Sequence, residues 1–365
     1  MTNRDLTISE AGLFLRFGAL LGLGLEKCVV AWGEPERFNL ANSKTPNSND
    51  AAFYVPDFYL EDAKPWARFE NMAITRRDHL ATLLSEFSNQ PQLDIRWQPP
   101  GRSEFAEKFE LVQNAIRQNI IRKAVPVVFA HAKVTLTASM RAKAIRSLLL
   151  QAKKPIPYGF WTPEEGVLGA TPEKLFNYNV REGVLETMAL AGTRSSALEA
   201  TKSLVNDPKE MFEHDLVIKG LKEKLKPFGD LKVSPTYVWD LGPISHLRTD
   251  ISVEFGRPPT AENSFTEMCA LLHPTAALGV SPNNADWRFL KKCDGTENRL
   301  RFGAPFGFLQ SAGSSQALVA IRNIQWRGDE LLLGTGCGVV EQSQIENEWQ
   351  ELEIKRNSVR ALLGL

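Results

Sequence analysis

The apolar positions of this chain follow two periods, and each predicts a kind of element. Over residues 105–122, Phe109, Val112, Ile116 and Ile120 recur close to helical spacing, which predicts an amphipathic helix. Residues 74–90 read as a second helix, and Pro126–Ala130 is a short apolar run of the strand type. Further strands are expected at Gly166–Ala170, Lys174–Asn179, Val184–Gly192, near 317–326 and at 330–335. Residues 207–226 predict a long helix with clear punctuation: Asp207 suits the N-cap, Pro208 the first turn, and lysines gather near the end. A last helix is expected over about 344–363, with Ser343 and Glu346 at capping-box spacing. Strands and helices mix without regular βαβ alternation. That order predicts an α+β architecture with sizeable sheets rather than a doubly wound parallel sheet.

The stretch Ala11–Trp32 is apolar, but Arg16, Glu26 and Lys27 interrupt it and Asp5 and Glu10 precede it. It lacks both the basic start of a signal peptide and the roughly 20 apolar residues of a spanning helix, so a buried element of the fold is expected. Residues 33–65 are rich in Asn, Ser, Pro and Asp and read as loops between short strands. At 365 residues the chain exceeds the usual single-core limit of roughly 250–300, leaving two domains or one large layered domain open. With 43 basic and 43 acidic residues and no basic block, it is not expected to bind nucleic acid. Cys28, Cys269, Cys293 and Cys337 form no CxxC pair, which argues against a zinc site or disulfide framework and suits a reducing cytoplasm.

Charge changes the picture in the two long helices. Projecting the Val217–Leu221 stripe backwards reaches Glu213 and Glu210, and in the last helix Glu348, Glu351 and Lys355 share a side with Leu352 and Val359. Each helix thus carries a Glu-x-x-Glu pair where burial is expected, and a buried unpaired carboxylate is costly. Three readings stay open: a solvated edge, a simple Glu351–Lys355 ion pair, or a shared hard cation. For the last, all-oxygen ligation points to Mg²⁺.

Other positions carry similar pairs of readings. Lys123, between the 105–122 helix and the following strand, either ends the helix favourably or points inward as an amine base. Glu173, at a turn after Thr-Pro, is either a solvated loop acid or a general acid in an apolar cleft. Arg322 interrupts an apolar strand and suits a substrate carboxylate, and Gly336 and Gly338 would let backbone amides approach such an anion. His246 and His273 are either structural or pocket residues, and no His-x-x-x-His, P-loop or Gly-x-Ser-x-Gly occurs.

Several strings together resemble the chorismate-utilising family, which includes isochorismate and salicylate synthases and the large subunits of anthranilate and aminodeoxychorismate synthases. They are Gly169-Ala-Thr-Pro-Glu-Lys-Leu175, Ala191-Gly-Thr-Arg194, Lys209-Glu-Met-Phe-Glu-His214, Leu272-His-Pro-Thr-Ala-Ala-Leu278, Ala320-Ile-Arg322, Gly336-Cys-Gly-Val-Val340, and Glu348-Trp-Gln-Glu351 with Lys355. Their order and spacing cover about residues 105–365. The resemblance implies a single large anthranilate synthase component I-like domain whose sheets enclose the site. In it, residues 1–100 form a variable N-terminal part and 101–365 the chorismate-binding region. It implies Mg²⁺ on Glu213 and Glu351, supported by Glu210 and Glu348. Arg322, Lys355 and the Gly336 backbone would bind carboxylates, and Thr193, His246, His273, Leu278 and Ile321 would line the pocket.

Family members that add water place a lysine base where Lys123 stands. The resemblance therefore implies isochorismate synthesis: water attacks C2 with Lys123 as base, and Glu173 protonates the departing C4 hydroxyl. The product would feed menaquinone or siderophore assembly. The alternatives are salicylate synthesis with loss of pyruvate, an amination subunit of the anthranilate type, or a catalytically dead binding protein on the same fold. A monomer is expected, without a glutaminase subunit and without membrane insertion. The chain departs from the family at Pro126-Val-Val128, at Phe302 in place of Tyr, and at Ala276 in place of a second Pro.

Overall fold

The computed structural model describes residues 2–39, 51–88, 95–151, 154–179, 181–195, 204–242, 244–255, 261–295, 298–310 and 314–365. Among these, nine strands form one sheet in the order Thr2–Asn3, Asn71–Arg76, Lys27–Trp32, Gly18–Leu23, Ile156–Trp161, Glu165–Thr171, Asn323–Arg327, Glu330–Gly336 and Val127–Lys133. A ten-stranded sheet runs through Leu231–Val233, Ile244–Glu254, Val184–Ser195, Lys174–Asn179, Ser314–Val319, Pro305–Leu309, Ala52–Tyr54, Trp66–Arg68 and Glu36–Phe38, with Tyr237–Asp240 also paired to Ile244–Glu254. The fold is α+β, and strands from the first hundred residues stand in both sheets.

Alternation along the strands explains the layers. In Gly18–Leu23, Ala19 and Leu21 pack with Phe53, Phe160 and Phe306 between the two sheets. Leu20 points the other way, into a core with Phe14, Leu80, Ile145 and Val359 from covering helices. Both faces are buried, which is why the Ala11–Trp32 stretch is so apolar. It forms the helix Ile8–Arg16 and two strands. No described helix is long and apolar enough to cross a membrane. The outer face of the ten-stranded sheet is covered by Pro208–Leu225 and Ala261–Leu272, while Arg102–Arg117 packs beside Val127–Lys133 and Ile345–Leu363, and the apolar stripes of all three join the largest core.

Besides the passages at residues 32–36 and 68–71, two later chain crossings stitch the sheets together near the site. After Glu165–Thr171 the chain leaves the nine-stranded sheet and enters the other at Lys174–Asn179. It returns between Ser314–Val319 and Asn323–Arg327. The strand expected over 317–326 is therefore two strands in different sheets. Apolar residues on both sides of Arg322 hide the change because both strands are buried. The capping box expected at Ser343 and Glu346 is also absent. Gln344 holds the N-cap position of Ile345–Leu363, while Ser343 Oγ accepts from Val340 N at 3.1 Å. In contrast, Asp207 caps Pro208–Leu225 as its sequence implies, accepting from the amides of Lys209 and Glu210.

Candidate active site

Each later crossing delivers a charged side chain to the seam between the sheets. Glu173 sits in the first, with its backbone carbonyl accepting from Val319 N at 3.1 Å. Its carboxyl is buried, and burial raises it to about 8 although Lys123 and Lys355 pull it down. It holds its proton at neutral pH. Arg322 sits in the second crossing with φ of 56°, a left-handed conformation that is uncommon for a side chain of this size. That backbone turn aims the guanidinium across the seam, where it donates to Ser358 Oγ at 2.9 Å and to His246 Nε2 at 3.2 Å. Burial lowers its pKa to about 10, which leaves it a cation. His246 Nε2 is an acceptor, so its proton lies on Nδ1, facing Gly192 O and Thr193 Oγ1 at 3.1 Å each. Burial, then the charges of Arg322 and Lys355, holds this imidazole neutral.

The two acidic helices converge. Pro208–Leu225 packs on Val184–Ser195 and Ile244–Glu254, and Ile345–Leu363 packs on Glu330–Gly336 and Val184–Ser195. Glu210, Glu213 and Glu348 are buried. They gather about the ammonium of Lys209, which lies 3.1 Å from Glu210, 3.4 Å from Glu213 and 3.0 Å from Glu348. Burial and the neighbouring carboxylates push Glu210 and Glu348 up. Burial also opposes ionisation of Glu213, but Lys123, Lys209 and Lys355 outweigh it and hold this carboxyl below the usual range. Glu351 forms the i,i+4 pair with Lys355, at 2.5 Å, and Lys355 also donates to the Gly336 carbonyl at 2.8 Å. The ion-pair reading thus holds for Glu351 and Lys355, and the other three carboxylates share the Lys209 ammonium.

Gly192 and Gly338 make room for this cluster. Gly192 has φ of +73° at a bulge in Val184–Ser195, and the turned backbone presents Thr193 N to Glu210 at 3.0 Å. A Cβ on Gly338 would stand 2.0 Å from Glu213 Oε1 and 2.6 Å from Lys123 Cε. Lys123 is 0% exposed, on a two-residue strand paired with Val280–Ser281. Its Nζ lies 2.6 Å from Ala276 O and 3.2 Å from Glu213. The lysine points inward.

A cavity partly open to solvent is lined by Glu173, Thr193, Glu213, His246, Leu278, Ile321, Arg322, Gly336, Glu351 and Lys355, with Val125, Leu190, Phe302 and Gly338. Lys123, Glu210 and Glu348 stand behind this wall. His273 does not line the cavity. Its Nε2 faces Phe58 O at 2.7 Å, and its ring packs against Phe58 and Trp287. That partner lies 215 residues away in sequence, so no local pattern foretells it. Lys209 and Ser358 are contributors that the sequence reading passed over. Helical spacing carried the signal for both: Lys209 precedes Glu213 by four residues and Ser358 follows Lys355 by three.

The acidic cluster suits a hard cation in chemistry. Its carboxylates already surround one positive group, and Glu348 Oε2 is a buried oxygen without a hydrogen-bond partner. Among the described residues, however, no three His, Cys, Asp or Glu side chains stand as a ready coordination set. Lys209 takes the central place.

Comparison with known proteins gives a consistent result. A family model described as "Chorismate binding enzyme" matches residues 33–364. The chain is similar to the salicylate biosynthesis isochorismate synthase of Pseudomonas aeruginosa, at 29% identity over 205 residues, 54% of this chain and 42% of that one. It is similar to isochorismate synthase EntC of Escherichia coli, at 28% identity over 249 residues, 64% of this chain and 60% of that one. These matches span about half the relatives' own lengths, 42% and 60%. Among solved structures, MenF, the menaquinone-specific isochorismate synthase from Escherichia coli, superposes with a TM-score of 0.77 at 19% identity, covering 99% of this chain and 92% of that one. At that identity the likeness is one of fold.

Proposed function

Since the chain belongs to the chorismate-binding enzyme family, whose model spans residues 33–364, we propose that it is a Mg²⁺-dependent isochorismate synthase. The observation that carries this reading is a buried acid on the cavity wall with a buried amine directly behind that wall. Lys123 is an inward amine against Glu213, and Glu173 is a carboxyl that keeps its proton to about pH 8. A base and an acid on one substrate are what hydroxyl exchange requires.

In the reaction, Lys123 takes a proton from water as the water oxygen bonds to C2. The ring double bonds shift, the C4–O bond breaks, and the departing oxygen takes its proton from Glu173. One water enters and one leaves, so no oxidant or reductant is needed. Return of the proton from Lys123 to Glu173 through solvent resets the site. Arg322 binds the enolpyruvyl carboxylate, with His246 and Ser358 fixing its fork. Val125, Leu278, Phe302 and Ile321 form an apolar wall that limits water around the ring.

Glu210, Glu213, Glu348 and Glu351 would hold Mg²⁺, which when bound supplies positive charge for the ring carboxylate. Charge balance supports the pairing of ion and substrate. A divalent cation and a dicarboxylate can enter together without changing the net charge of the buried site.

Incubation with chorismate and Mg²⁺, followed by chromatography, tests the reading. Isochorismate without pyruvate is expected. Salicylate with matching pyruvate would make the protein a salicylate synthase, and product formed only with ammonium would remove Lys123 as the water-activating base.

A further inference from the structure

Behind the cavity wall lies a buried ion pair that the reaction does not use directly. Arg299 is fully buried, and its Nε donates to both carboxylate oxygens of Asp294, at 2.9 and 2.7 Å. Its two remaining nitrogens donate to backbone carbonyls, NH1 to Leu278 O at 3.0 Å and NH2 to Val125 O at 2.6 Å. Tyr59 donates its hydroxyl to Asp294 Oδ2, and the guanidinium lies over the Phe58 ring at 4.6 Å.

The two carbonyls are telling. Val125 follows Lys123 by two residues on one segment. Leu278 follows Ala276 by two on another, and Ala276 supplies the carbonyl that Lys123 Nζ touches at 2.6 Å. One guanidinium therefore clamps the segment carrying the amine to the segment carrying its acceptor. Val125 and Leu278 also line the cavity. A buried ion pair adds little net stability compared with well-packed apolar residues. A planar fork held on three sides does, however, fix the distance between two chain segments.

We propose that Arg299, locked by Asp294 and Tyr59, is a positioning residue that sets Lys123 against the substrate's C2 face. The inference rests on the isochorismate synthase reading and names what aims its base. Lysine cannot replace Arg299, because a single ammonium on a flexible stem does not span Asp294, Leu278 O and Val125 O together.

The test compares wild type with Arg299→Lys and Tyr59→Phe in kcat, KM and pH profile. It also follows acetylation of Lys123 and Lys224 by acetic anhydride, read by mass spectrometry. Lys224 is the internal reference, being part-buried and held by Leu272 O and Pro274 O. In Arg299→Lys, kcat is expected to fall about 100-fold, the cost of a misplaced group. KM should change little, the pH limb of the base should move, and labelling should rise at Lys123 but not at Lys224. Unchanged kcat and pH profile, or equal gains at both lysines, would overturn the proposal. If Arg299→Lys does not fold, Tyr59→Phe decides, since it removes one hydrogen bond and leaves the ion pair. A smaller kcat loss at constant KM with selective Lys123 labelling supports positioning, and no change in either rejects it. If wild type makes no isochorismate, the functional reading fails by itself, and the labelling ratio alone judges the clamp.

Discussion

Burial raises the Glu173 carboxyl to about 8 against the pull of Lys123 and Lys355, and the shift has consequences for both rate and stability. In its proposed role of general acid Glu173 must carry its proton, so kcat/KM should fall as pH rises through about 8. Glu173→Gln should lose at least about 100-fold in kcat. For stability, the folded state keeps a proton that the unfolded chain releases near the ordinary value of 4.5. The Glu173 contribution is therefore complete below pH 4.5 and drains away as pH climbs through about 8. Glu173→Gln has no such loss, so its Tm should gain on wild type between those limits. A melting series from pH 5 to 9 checks this, and a gap that stays constant would mean that Glu173 is not a buried neutral acid. Gly338→Ala makes a separate steric point. Its new Cβ would meet Glu213 and Lys123 well inside contact distance. Overpacking of this kind costs about 1–3 kcal/mol, and if Lys123 is the base and Glu213 a metal ligand, as proposed, their displacement should abolish turnover. A variant with normal kcat would show that the two side chains can move apart freely.

At the scale of elements, much of the arrangement was legible and the gaps have physical causes. Pro208–Leu225 announces itself through Asp207, Pro208 and the Val217–Leu221 stripe, and the acids on that stripe point straight to the site. Helical periodicity reports which face of each helix is buried. It does not report that two such faces meet, which depends on both helices packing against Val184–Ser195. Nor does it register a change of sheet, so the crossing at Arg322 read as one strand. The left-handed turn there is strain held by the surrounding structure, and sequence carries no mark for it. The cap at Ser343 failed because its hydroxyl closes a turn onto Val340 instead. The convergence of the helices gives a direct prediction. If their carboxylates hold Mg²⁺, adding the ion should raise Tm without substrate, by about 2.7 kcal/mol of stability at one hundred times Kd. Glu213→Gln should lose most of that shift, and an undiminished shift in the variant would take Glu213 out of the metal site.

For the whole molecule, the first hundred residues and the remainder share one fold, because both sheets run through the two parts. Gly18–Leu23 lies inside the nine-stranded sheet, paired with Ile156–Trp161 on one side and Lys27–Trp32 on the other. Ala52–Tyr54 extends the ten-stranded sheet beside Pro305–Leu309. Phe58 and Tyr59 reach under the cavity wall to His273, Asp294 and Arg299. Cutting the chain at residue 101 would bare the backbone edge of Ile156–Trp161 and the faces of Phe160, Phe306 and Leu318 that pack against Ala19, Leu21 and Phe53. An open, apolar strand edge of this kind promotes aggregation. A fragment of residues 101–365 is therefore expected to lack a cooperative thermal transition and near-ultraviolet circular dichroism, and to make no product from chorismate. A soluble fragment that melts cooperatively and turns over substrate would show that the site is built by the second part alone. The charged groups that line the cavity all come from that second part. The first part contributes buried strands and packing aromatics, which many apolar sequences can supply.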